Sequence, residues 1–176
     1  MTNTDAAKKA PGPGPGPAIL LICLLVALDQ VTKYLAVKYL GGGGSIPLIP
    51  GVLELTFVKN TGAAFGIFQN GRIFFFATTA AALAFITYAL IKMPRSSHYR
   101  PLRICLYFIA AGAIGNLIDR ILLAYVRDFI YFSLIDFPVF NVADIYITCS
   151  AFALIDLTLV YYKDENDFSF LTGKEG

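Results

Sequence analysis

Residues 73–91 contain no charged side chain, and at 1.5 Å per residue that length crosses the roughly 30 Å hydrocarbon core of a bilayer. A stretch of this kind constrains the whole chain, because backbone N–H and C=O groups in lipid find partners only within a helix or a closed barrel. Three further apolar stretches of spanning length follow the same logic, at 18–40, about 102–123 and about 137–162. With 57% hydrophobic residues in 176 and a mean hydropathy of +0.66, the chain is too apolar for a soluble domain of its size. The expectation is an all-α membrane protein with four transmembrane helices forming one domain over 18–162.

Charge placement predicts the topology. Lys92, Arg95, Arg100 and Arg103 crowd the connection between the second and third spans, which the positive-inside rule assigns to the cytoplasm. Both tails then face the cytoplasm, and 41–70 and 124–136 face outward. Residues 1–17 carry Lys8, Lys9 and a Pro-Gly alternation that cannot bury a core, so a disordered tail is expected there. A second tail is expected over 163–176. The apolar run after Ala18 resembles a secretory signal peptide, but no small-x-small cleavage site follows and the run continues past Asp29. In the first outward connection, Pro47, Pro50 and Gly51 punctuate turns, and Val52 to Val58 is rich in strand-forming residues. This predicts a small extracytoplasmic β-rich segment.

Ionisable residues within apolar runs are the candidates for function. Asp29 and Lys33 stand at i,i+4 on one helical face and can neutralise each other; a supporting ion pair and direct substrate contact both fit them. In the third span, Gly112 and Gly115 permit close packing, and Asn116, Asp119 and Arg120 form a polar cluster. Asp119 and Arg120 are adjacent and diverge on a helix, so each is expected to find a partner elsewhere. Arg120 fits a donor to a peptide carbonyl or lipid headgroup, and equally a snorkelling residue at the interface. Asn141 and Asp144 stand at i,i+3 near the start of the fourth span, where the helix dipole favours the negative charge. Asp128 lies in the loop before it. Asp136 reads as a solvated loop residue, and Asp156 belongs to the opposite face of the membrane.

Other chemistries are poorly served. A formal charge of +2 with no basic face gives no nucleic-acid surface. Cys23, Cys105 and Cys149 show no paired spacing and read as small buried hydrophobes. The single histidine, His98, sits in the basic loop, so no HExxH zinc site can be written; no metal and no cofactor are expected. A proton-coupled transporter would want polar residues through the full membrane depth, and a scaffold would use the aspartates only as braces. Two carboxylates a few ångströms apart cannot both ionise, and such a pair activates water against a peptide bond. Spacing alone leaves open which two aspartates pair.

The blocks Asp29 to Lys33, Asn60-Thr61-Gly62-Ala63-Ala64-Phe65, Gly115-Asn116-Leu117-Ile118-Asp119-Arg120, Val126-Arg127-Asp128-Phe129 and Phe140-Asn141-Val142-Ala143-Asp144 occur in this order on four spans. Together they resemble the bacterial lipoprotein signal peptidases, signal peptidase II. The resemblance covers about 18–162 and implies an aspartic endopeptidase of the bacterial cytoplasmic membrane, with its active site near the outer face. Its substrates would be prolipoproteins carrying a diacylglyceryl-modified cysteine. It implies Asp128 and Asp144 as the catalytic dyad. It implies Asn60, Gly112, Asn116, Arg120 and Asn141 around a substrate pocket that also takes the cyclic peptide globomycin. Asp29, Lys33 and Asp119 are left in supporting roles. Ile145-Tyr146 is bulkier than the small residue expected after the second aspartate.

Overall fold

The computed structural model describes residues 14–62, 71–164 and 166–172. Most of the expected N-terminal tail, and Ala63, Ala64 and Phe65 of the second block, lie outside the described residues. Among the described residues four helices are long and apolar enough to span a membrane: α1 (Pro15–Leu40), α2 (Gly71–Lys92), α3 (Arg100–Leu123) and α4 (Val142–Asp156). A π-helical turn, Leu157–Tyr161, extends α4. α1 begins three residues before the expected 18 because proline is tolerated in a first turn, where its missing N–H has no partner in any case. It ends at Gly41, and Gly43 and Gly44 then take positive φ.

The fourth helix starts later than the expected 137. Pro138 supplies no N–H, Phe140 pairs with Ile130, and Asn141 is the N-cap. The Asn141 side chain accepts from the Asp144 N–H, and the Asp144 carboxylate accepts from the Asn141 N–H, each at 3.1 Å. This reciprocal pair fixes the helix start and the position of Asp144 together.

Three antiparallel strands, β1 (Ser45–Ile49), β2 (Leu53–Asn60) and β3 (Val126–Tyr131), form a sheet in the order β1-β2-β3. Asp128 is therefore a strand residue and not the loop residue expected, with Val58 as its cross-strand partner. Phe129 and Ile130 of β3 and Leu55 and Phe57 of β2 pack on Ala36 and Leu40 of α1 and on Val142 of α4. That apolar contact seats the sheet over one end of the bundle.

α3 is the axis of the bundle, with α1, α2 and α4 packed on it. Its small residues allow close approach. A Cβ at Gly112 would lie 2.5 Å from the Ala143 carbonyl oxygen and 2.7 Å from Ile147, and one at Gly115 would meet the Asp29 carboxylate. At the opposite end Ile86, Ala89, Met93, Tyr99, Leu102, Leu106 and Tyr162 form a second core.

Two expectations are revised there. His98 is buried in the short 3-10 helix Ser97–Tyr99, with Nε2 at 2.8 Å from Asp167. Of the segment expected to be a tail, residues 166–172 fold back so that Asp167 is buried and α5 (Ser169–Thr172) follows it; the ring contacts of Tyr99 with Tyr162 and Phe170 hold them. Of the three cysteines only Cys105 is buried, since Cys23 and Cys149 fall on outward faces of α1 and α4.

Candidate active site

Asp128 and Asp144 arrive from different elements and share one amide network. Asn141 donates through Nδ2 to Asp128 Oδ1 at 2.6 Å and to Asn116 Oδ1 at 3.1 Å. Asn116, one turn beyond Gly112 on α3, donates through Nδ2 to Asp144 Oδ1 at 2.7 Å. Asn60, at the end of β2, donates to the second Asp128 oxygen at 2.8 Å. Its own carbonyl is held by the Gly62 N–H at 2.9 Å, where φ is +77°. Each carboxylate oxygen accepts one bond and keeps a lone pair free for water or substrate.

A layer of compensated charge lies beside this network. Lys33 is fully buried, with Nζ at 2.9 Å from Asp29, 3.6 Å from Asp119 and 2.8 Å from Asn116 Oδ1. Arg127 forks onto Asp119 through Nε at 3.0 Å and Nη2 at 2.6 Å, and its backbone N–H adds a third bond at 2.9 Å. Gln30 ties Asp29, Asp119, the Gly115 carbonyl and Arg127 together. Asp29 also accepts from the Ala143 N–H at 3.0 Å, linking α1 to the start of α4. Two acids and two bases balance, as buried charge requires. Bonding to Asp119 raises the Arg127 guanidinium above its ordinary range.

Burial pushes the Asp128 carboxyl up to about 6; the Asn60 and Asn141 amides pull against this, and the Asp144 charge adds to it. Arg120 diverges from Asp119 on α3, as their adjacency requires, and stacks over the Phe75 ring at 5.2 Å. It feels the charges of both Asp144 and Asp128. A cavity of about 290 Å³ lined by Val58, Asn60, Thr61, Pro138 and Val139 opens at Asp128. On the Asp144 side lies an apolar cavity of about 380 Å³ lined by Phe132, Ile135, Phe137, Phe140, Ile145, Thr148 and Cys149.

The structure thus joins Asn60, Asn116, Asp128, Asn141 and Asp144 by direct bonds, with Arg120 beside them. Gly112 lies in the α3–α4 contact and brings the two helices together. Asp119, which spacing left as a candidate, is held by Arg127 and Lys33 away from the amide network. Asp136 bonds the Tyr131 hydroxyl at 2.7 Å on the exposed side. Gln30 was missed; a lone amide beside Asp29 in an apolar run was the available signal.

Known proteins resemble this chain over most of its length. The sequence model described as signal peptidase (SPase) II matches residues 21–160. A lipoprotein signal peptidase from Brevibacillus brevis is 50% identical over 133 residues, 73% of this chain and 85% of the relative. One from Caldanaerobacter subterraneus subsp. tengcongensis is 49% identical over 138 residues, 78% and 92% of the two chains. A solved structure described as a bacterial membrane enzyme studied by the in meso method is 36% identical, with a TM-score of 0.74 over 83% of this chain and 94% of the other.

Proposed function

The chain belongs to the signal peptidase II family, peptidases of bacterial membranes, and from that premise we propose that it is an aspartic endopeptidase. It removes the signal peptide from diacylglyceryl-modified prolipoproteins and cuts before the lipid-modified cysteine. The observation that carries the reading is the Asn116–Asn141 amide bridge, which bonds one carboxylate on each side.

In this mechanism Asp128 holds the proton, in keeping with the upward push that burial gives it, and Asp144 serves as the base. Asp144 takes a proton from water as the oxygen attacks the scissile carbonyl carbon, and Asp128 gives its proton to the carbonyl oxygen. The gem-diol collapses as the C–N bond breaks, a proton passes to the leaving amine, and the dyad returns with one proton. Every step uses groups of this chain and water.

Substrate contacts follow from the same geometry. Asn60, Asn116, Arg120 and Asn141 offer polar groups to an extended peptide whose backbone needs partners in lipid, while Gly112 keeps α3 and α4 close behind them. The apolar cavity at Asp144 suits an acyl chain of the modified cysteine. Globomycin-type cyclic peptides compete for this ground. Asp29, Lys33 and Asp119 support the dyad from the side.

Residues 18–162 constitute the catalytic domain. By the positive-inside rule, the basic connection before α3 supports cytoplasmic termini and a site near the outer face of the inner membrane, where lipid-modified cysteines present their acyl chains.

Cleavage of a purified diacylglyceryl-prolipoprotein in detergent tests the proposal, with wild type, Asp128→Asn and Asp144→Asn compared at matched folded protein and a chelator present throughout. Both variants lose cleavage and the chelator leaves wild type unchanged. Full activity in either variant removes that residue from the chemistry.

A further inference from the structure

The end of the bundle away from Asp128 and Asp144 holds two adjoining cavities of about 380 and 450 Å³. α1 and α2 each pack on α3; one cavity lies between α1 and the start of α3, the other between α1 and α2, and Ala18, Arg103 and Tyr107 line both, so that together they make one wedge. Leu21 and Ile22 of α1, Leu90 and Ile91 of α2 and Ile104 of α3 give the wedge apolar walls. Its rim is cationic: Arg95, Arg100 and Arg103 line it, and among the described residues no acidic side chain does.

Two features of the rim point to an anion. Arg103 is only 9% exposed, donates through Nη2 to the Met93 carbonyl at 3.1 Å and to the Pro94 carbonyl, and has no carboxylate within ion-pair distance among the described residues. A buried guanidinium bonded only to neutral groups is an uncompensated charge. Ser96 is 3% exposed, lines the same cavity, and its hydroxyl has no hydrogen-bond partner among the described residues. The start of α3 compounds the imbalance, because it carries Arg100 and Arg103 with no acidic residue and no side-chain cap. Cations there add to the positive end of the helix dipole.

We propose that this wedge is a binding site for an anionic phospholipid, with the phosphate among Ser96, Arg100 and Arg103 and the acyl chains between α1 and α2. The apolar walls running on from the cationic rim select an amphiphile, since a free phosphate would leave the wedge unfilled. Such a lipid lies at the opposite end of the bundle from the peptidase site and is distinct from the substrate.

Native mass spectrometry of the full-length detergent-solubilised protein tests this, with phosphatidylglycerol and phosphatidylcholine of matched chains as probes and inorganic phosphate in excess as competitor. Wild type binds phosphatidylglycerol about tenfold more tightly than phosphatidylcholine, and inorganic phosphate does not displace it. Ser96→Ala and the pair Arg95→Gln with Arg100→Gln lose that preference while prolipoprotein cleavage in detergent is unchanged. Ser96→Ala also guards against misfolding, because deleting an orphaned hydroxyl leaves thermal stability intact. Equal binding of the two lipids, displacement by inorganic phosphate, or full preference in Ser96→Ala overturns the proposal.

Discussion

Asn141 donates to Asp128 at 2.6 Å and at the same time caps the helix that carries Asp144. One short side chain thereby fixes the separation of two carboxylates that come from a strand and from a helix. Asn116 closes the arrangement from α3, and Lys33 bonds the Asn116 carbonyl so that its amide points at Asp144.

Asn141→Ala removes the cap and both amide bonds. We expect cleavage to fall by about 100-fold or more, the scale of losing one positioned donor, while stability drops by only about 1 kcal/mol, the scale of a lost cap. Kinetics and thermal unfolding on one preparation separate the two effects.

If the proposed mechanism holds, Asp128 sets the pH profile. Its proton is lost as pH rises through about 6, so kcat/KM of the free enzyme falls along an alkaline limb near that value. Asn60→Ala deletes a bond that favours the ionised form, and the limb moves upward. A limb that stays fixed in this variant would separate the profile from Asp128.

The same shift makes Asp128 a burden on the fold. Because its folded value lies above that of a free carboxyl, the native state binds the proton more tightly than the unfolded chain. Stability is therefore lost as pH rises from about 4 to about 6. Above pH 6 the cost is on the order of 3 kcal/mol. Asp128→Asn should melt above wild type at pH 8, an advantage that vanishes near pH 4. Thermal scans of both proteins across this range supply the comparison.

Lys33→Met leaves the buried Asp29 carboxylate without its cation, and we expect a loss of about 3–5 kcal/mol. Adding Asp29→Asn recovers part of it. Two substitutions that each lower stability independently, with no recovery when combined, would refute the ion-pair account; denaturant unfolding in detergent decides.

Much of this was legible along the chain. Spans of uninterrupted apolar residues define α1 to α4 to within a few positions, and i,i+4 spacing placed Lys33 beside Asp29. The sheet was only partly legible: Val52 to Val58 reads as a strand, but irregular register between Leu55 and Val58 blurs its alternation, and β3 is too short to stand out beside α3. Asp128 consequently read as a loop residue. The Asp119–Arg127 fork spans a turn from helix to strand, so neither periodicity predicts it. His98 and Asp167 meet only because residues 166–172 fold back, which no local pattern in the sequence announces.

Asp144 occupies the third position of its own helix and accepts the Asn141 backbone N–H. A proton taken up by that carboxylate is thus felt directly by the main chain, since a neutral acid is a weaker acceptor than its anion. Under the proposed mechanism the first turn of α4 is therefore a built-in meter of the reaction, tighter before Asp144 receives a proton from water and slacker once it has done so.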